Sequence, residues 1–119
     1  MLADAVGVMT QPGAAVATLQ GTGPAAGATG FAAFPQTGDG YIVLVGLPPA
    51  PGGQTYQAWY LVDGRASSAG LLTVESDGYG ILSGVARLPG VDQIALTIER
   101  GGGSDQPTAA PIMSGLVEA

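Results

Sequence analysis

Thr55-Tyr-Gln-Ala-Trp-Tyr-Leu-Val-Asp-Gly64 and Ala95-Leu-Thr-Ile-Glu-Arg-Gly-Gly-Gly-Ser-Asp-Gln-Pro-Thr108 are the two stretches on which the fold turns. The first is an aromatic and aliphatic run that ends in Asp63-Gly64, a dipeptide suited to the positive φ of a tight hairpin turn. The second alternates apolar and polar residues and stops at three consecutive glycines. In it and the two residues before it, Ile94, Leu96 and Ile98 fall on one face, and Gln93, Ala95, Thr97 and Glu99 on the other, so the strand is expected to be half-buried. The adjacent Glu99 and Arg100 are read as a strand end where both charges reach water.

Working outward, segments of period two recur about every ten residues, which is the pattern of a sandwich or barrel. The expected strands are Ala14–Thr22, Thr29–Phe34, Tyr41–Val45, Thr55–Val62, Ser68–Val74, Tyr79–Val85, Val91–Glu99 and Ile112–Val117. Two of them, Tyr41–Val45 and Thr55–Val62, are apolar on both faces and read as central strands. Turn residues punctuate the rest: Gln36–Gly40 between the second and third strands, Asp63-Gly64 after the fourth, and Ser76-Asp77-Gly78 closing a hairpin between the fifth and sixth. No segment carries a helical stripe. The expected fold is an all-β antiparallel sandwich of about seven or eight strands, immunoglobulin-like in outline. Trp59, Tyr56, Ile94, Leu96 and Ile98 are assigned to its structural core, with Trp59 anchoring the space between two sheets.

Preceded by Leu47-Pro-Pro-Ala-Pro-Gly-Gly-Gln54, these stretches resemble the C-terminal domain of the anti-sigma-K factors. The resemblance lies in an ordered set of motifs: LPP, a short loop, YQ followed one residue later by Trp, then TIE and GGGS running into PT. It covers Leu47 to Pro111 and includes the loop residues Gly101, Gly102, Gly103, Pro107 and Thr108. The sequence departs from the family pattern at Ala58, where Leu is usual before the Trp, and at Arg100, where Pro is usual after the Glu. Neither change breaks a strand. The loop is expected to cover one end of the sandwich, since its backbone groups need partners wherever they are buried.

The resemblance implies an extracytoplasmic sensor or regulatory domain of a single-pass bacterial membrane protein. In that family a cytoplasmic part holds a sigma factor inactive, and regulated proteolysis in and beside the membrane releases it. The implied partners are a site-1-type protease or an extracellular regulator. The sigma factor would be met only through a cytoplasmic domain outside this chain. Residues 1–13 are then expected to be a membrane-proximal linker and residues 14–119 the β-sandwich domain. The rival reading is a stand-alone secreted or cell-surface module for adhesion or ligand binding.

Composition narrows the chemistry. The chain has 119 residues, 3 Arg and no Lys against 9 acidic residues, for a net charge of -6. Such a surface repels phosphate backbones, so nucleic acid is not an expected partner. With no His and no Cys, imidazole and thiol catalysis and the usual zinc, copper and haem ligands are missing, and a copper-carrying sandwich is excluded with them. No cofactor, metal site or catalytic residue is assigned, and the protein is not read as an enzyme. Glu75 and Asp77 are read as a solvated turn, since calcium needs six to eight converging oxygens. Gly78-Tyr-Gly80 and Gly21-Thr-Gly23 miss the third glycine spacing of a dinucleotide loop, and no helix follows either. No window reaches the ~20 apolar residues of a membrane-spanning helix.

Overall fold

The computed structural model describes residues 6–8 and 10–118. Residues 1–5 and Met9 of the expected linker lie outside the described residues. The chain forms eight strands: β1 (Ala15–Gly21), β2 (Thr29–Phe34), β3 (Gly40–Val45), β4 (Gln54–Val62), β5 (Arg65–Leu72), β6 (Tyr79–Val85), β7 (Gln93–Arg100) and β8 (Met113–Glu118). They make one antiparallel sheet in the order β5-β4-β7-β8-β1-β2-β3-β6. The two layers of the sandwich are therefore one sheet rolled on itself, nearly closed into a barrel.

Turn chemistry sets the register. Between β4 and β5, Asp63 and Gly64 adopt φ of 50° and 80°, the two positive values that a two-residue type I′ hairpin requires. Val62 consequently faces Arg65, and the ladder runs back from there. The Ser76-Asp77-Gly78 turn closes a short hairpin, with the Gly78 amide on the Glu75 carbonyl at 3.0 Å, the Glu75 amide on the Tyr79 carbonyl at 3.1 Å and the antiparallel bridge Val74↔Gly80. The ladder goes no farther, because β5 and β6, which the turn joins, are the two edges of the sheet. Each edge strand carries an irregularity: the pairing skips Ala69 on β5 and Gly84 on β6. An extra residue on one strand bends and twists it, which is how sheet edges are turned away from pairing. Inside the seam Leu82 lies against Gly70, where an added Cβ would come within 2.8 Å of Leu82 Cδ2.

The interior is filled by the inward side of each strand. Leu19, Phe34, Ile42, Leu44, Tyr56, Leu72, Ile94, Leu96 and Met113 are buried there. Ala17, Ala32 and Ala58 join them with no exposed surface, and such small side chains let the two sides of the rolled sheet approach closely. Phe34 and Tyr60 meet as a tilted aromatic pair with ring centroids 6.5 Å apart. Both buried tyrosines satisfy their hydroxyls on carbonyls outside the core: Tyr60 donates to Ala86, and Tyr56 to Pro48 at 2.6 Å. Burial raises the pKa of the Tyr56 phenol, so it remains a donor at any ordinary pH.

Candidate functional site: a carboxylate under the glycine loop

β7 is not half-buried. Ile94, Ala95, Leu96 and Thr97 are all buried, and so is Glu99 with 1% of its surface exposed. The expectation that Glu99 reaches water is thus overturned, while Arg100 beside it is exposed. The cause is the segment that follows. Gly102 and Gly103, with φ of 88° and 82°, turn the chain back across the outer face of β4 and β7 instead of carrying it over an end of the sandwich. At Gly103 the backbone angle disfavours a side chain, and a Cβ would also press on its neighbours. A Cβ there would lie 2.9 Å from Leu71 Cδ2 and 3.1 Å from Gln57 Oε1.

Beneath this loop, β4 presents Gln57 and Trp59, and β7 presents Thr97 and Glu99, with Gln57 directly across from Thr97. The Glu99 carboxylate accepts from the Thr97 hydroxyl at 2.6 Å and the Ser104 hydroxyl at 3.0 Å. It also accepts from the Thr108 amide at 3.1 Å and from the Thr108 hydroxyl. Trp59 Nε1 donates in turn to the Thr97 hydroxyl at 2.8 Å, which orients that hydroxyl's proton toward Glu99. Gln57 holds the loop from the other side. Its Oε1 accepts from the Ser104 amide at 2.9 Å, and its Nε2 donates to the Ser104 carbonyl at 3.0 Å and to the Ser68 hydroxyl at 2.9 Å. Farther along, Gln106 Nε2 donates to the Ala66 carbonyl of the edge strand β5 at 3.0 Å.

Among the described residues no cation faces the carboxylate; its charge is met by neutral donors. Burial on its own raises the pKa of such a group. Here the hydrogen bonds from Thr108, Thr97 and Ser104 outweigh that and lower it. The loop is a single layer and Thr108 itself is exposed, so desolvation is milder than in the barrel interior. A carboxylate held ionised by four donors is a weak base and has no free lone pair aimed at a cleft. Its chemistry is that of a latch, binding a loop to two strands. Among the described residues no group of three or more acidic side chains is placed to hold a metal ion.

A sequence model of the family described as "Anti-sigma-K factor rskA, C-terminal" matches residues 3–112. The chain belongs to that family. It is also 35% identical over 108 residues to "Uncharacterized protein in phr 5'region" of Streptomyces griseus, covering 88% of this chain and 43% of that protein. The chain therefore spans less than half the length of this curated relative.

In this anti-sigma-K C-terminal domain the structure shows how the motifs meet. The Tyr56 hydroxyl holds the Leu47-Pro-Pro49 loop through Pro48, and Gln57 and Trp59 hold the Glu99 loop, so YQ-x-W serves both. Of the residues assigned to the core, Tyr56, Ile94 and Leu96 lie in the barrel interior, and Ile98 packs against it half-buried. Trp59 is wholly buried but lies on the opposite side of the sheet, outside the interior cluster. Its indole donates to Thr97, which donates to Glu99, so it supports the acceptor on which the loop closes and not the space between two layers. In the loop, Gly101 donates its amide to the Gly53 carbonyl at 2.8 Å, Gly102 and Gly103 make the turn, and Pro107 precedes Thr108. Thr97 and Glu99 escaped the sequence reading because they alternate like the wet side of a strand, and Gln57 and Ser104 because their partners lie far apart in the chain. The signal available was the two-sided apolarity of β4, which requires a cover on both faces.

Gly103→Val should cost about 2–3 kcal/mol, because it forces a branched side chain into the left-handed region and against Gln57. Urea denaturation checks this. A loss under about 0.5 kcal/mol, the level of an indifferent surface change, would show that the loop does not need to lie flat.

Proposed function

We propose that this domain is the extracytoplasmic regulatory module of a membrane-anchored anti-sigma factor, and that it governs sigma-factor release by controlling proteolysis beside the membrane. The observation that carries the reading is the family match from residue 3 to residue 112. It takes in strands β1 to β7 and the segment by which the chain enters them, and ends just before β8. No helix among the described residues is long and apolar enough to cross a membrane, so the anchor in this reading lies outside them.

In that topology the entry segment stands between membrane and barrel, where a first protease would cut. It is docked. Residues 6–8 are helical, Val8 is buried while Val6 is 45% exposed, and the amides of Gln11 and Ala14 close turns on Val8 and Gln11. Arg87 clamps its end, its Nη1 donating to the Gly13 carbonyl at 3.0 Å and to the Pro35 carbonyl at 3.3 Å. Undocking this segment is the proposed event that admits the protease, and sigma-factor contact belongs to a separate cytoplasmic domain.

Two measurements test the proposal. An alkaline phosphatase reporter fused after this domain in the parent protein should be active, which requires placement outside the cytoplasm; an inactive but folded fusion overturns the placement. Limited proteolysis with subtilisin and mass mapping should show the first cut before Ala15. Arg87→Ala and Val8→Asp should accelerate it several-fold, since cleavage of a transiently open segment tracks its opening equilibrium, whereas Val6→Asp should not. A first cut within residues 101–111, or rates unchanged by Arg87→Ala and Val8→Asp, would end the gating role.

A further inference from the structure

Two strands, β3 and β4, have apolar residues on both sides, and the molecule treats them differently. The outer side of β4 is covered by the loop at residues 101–111. The outer side of β3 has only its neighbours in the sheet. Val43 is fully buried between the half-buried Phe31 and Ile81 in one rung across β2, β3 and β6. The next rung ends in Val45 and Tyr79, which are 36% and 42% exposed. Across the seam Leu71 of β5 is 40% exposed as well. These three are among the few large apolar side chains left in water, and they adjoin one feature.

That feature is a groove of about 460 Å³ along the outside of the β5/β6 seam, lined by Leu71, Thr73, Glu75, Asp77, Tyr79 and Ile81. Its lining is mixed, with Leu71, Tyr79 and Ile81 supplying the apolar part and Thr73, Glu75 and Asp77 the polar part. One end is marked by two exposed carboxylates, and no basic side chain lines it. Asp77 spends one oxygen on the Tyr79 amide at 3.0 Å, leaving the other free to face outward. Its lining comes from alternate residues of β5, the turn and β6, all on the outer side of the sheet.

We infer that this groove is a docking site for a short segment of a partner protein, with apolar side chains seated on Leu71 and Tyr79 and an adjacent Lys or Arg meeting Glu75 and Asp77. Charge decides the occupant. A second copy of this chain, with net charge -6, would set carboxylates against carboxylates, and an anionic bilayer is repelled for the same reason. A basic, apolar peptide is attracted by the charges and covers the exposed side chains. The inference rests on the fold and does not require the membrane topology proposed above.

The test uses the intact domain, ¹⁵N-labelled, titrated with the capped heptapeptide Lys-Val-Lys-Val-Lys-Val-Lys and with its Glu-for-Lys counterpart. The basic peptide should shift the amides of Leu71, Tyr79 and Ile81, and the acidic one should not. Tyr79→Ser should weaken binding about tenfold, equivalent to ~1.4 kcal/mol, and Glu75→Gln with Asp77→Asn should weaken it and flatten its salt dependence. All three positions are exposed, and circular dichroism verifies that the variants fold. Absent shifts, shifts scattered over the surface, equal response to the acidic peptide, or unchanged affinity in Tyr79→Ser would overturn the assignment. So would a concentration-dependent dimer, or binding to anionic vesicles, that moves these same amides.

Discussion

Trp59→Ala is expected to destabilise the domain by about 3–5 kcal/mol, the range for deleting a large buried aromatic side chain. Trp59 has no exposed surface, and its loss removes both that buried packing on the outer side of β4 and the donor that orients Thr97 beneath the loop. The effect should be local as well as global. Because the barrel interior lies on the other side of the sheet, native-state proteolysis of Trp59→Ala should open the loop before the strands. Trp59→Phe keeps most of the packing and drops the hydrogen bond, so it should cost about 1–2 kcal/mol. Urea unfolding, together with the position of the native fluorescence maximum, checks these values. Emission at the wavelength of free tryptophan, or a Trp59→Ala loss below about 1 kcal/mol, would contradict the packing described.

Glu99→Ala should cost about 3 kcal/mol or more, since it leaves the Thr97, Ser104 and Thr108 donors without their shared acceptor. Each hydrogen bond to a charged group contributes about 1.5–3 kcal/mol, and orphaned donors add a desolvation penalty. Thr108→Ala removes one hydroxyl and keeps the amide, so it should cost about 1–2 kcal/mol. The carboxylate also links stability to pH. Its pKa is lower in the folded state than the ordinary value of 4.5, so on acidification the unfolded chain takes up the proton first. Its stabilising contribution is complete above the ordinary value and is lost as pH falls through the lowered one. Wild type should therefore lose more stability than Glu99→Gln between neutral pH and the acid side of that window. Parallel losses in the two proteins would show that Glu99 is not the group responsible.

The strands were legible because their signals are local. Alternation in Gln93–Arg100, the Asp63-Gly64 turn and the spacing of Gly and Pro each depend on residues a few positions apart, and all eight expected strands overlap strands of the sheet. The site was legible only in part. Gly101–Gly103 and Thr108 stood out as a motif, but their target did not, because Glu99 and Thr97 alternate like any solvent face. What buries them arrives from farther along the chain and from β4, some forty residues earlier, and no periodicity records it. The same limit explains Trp59. A two-sided apolar strand is consistent with two sheets closing on it or with one sheet and a loop, and the two have the same alternation.

Composition and pattern alone were enough to require a thin-cored, antiparallel all-β domain with many turns, since 21 Gly and 9 Pro leave no room for long helices and period two puts one face of each strand inward. They also removed the chemistry of His, Cys and Lys. Three matters were decided only in three dimensions: that the two layers are one rolled sheet, that β5 and β6 stand unpaired at its seam, and that Glu99 is sealed beneath the loop. Strand order and cover depend on contacts between residues far apart in sequence. Their free energies arise from burial and hydrogen bonding once the chain has closed those loops, and a local pattern contributes no information about which distant partner completes the contact.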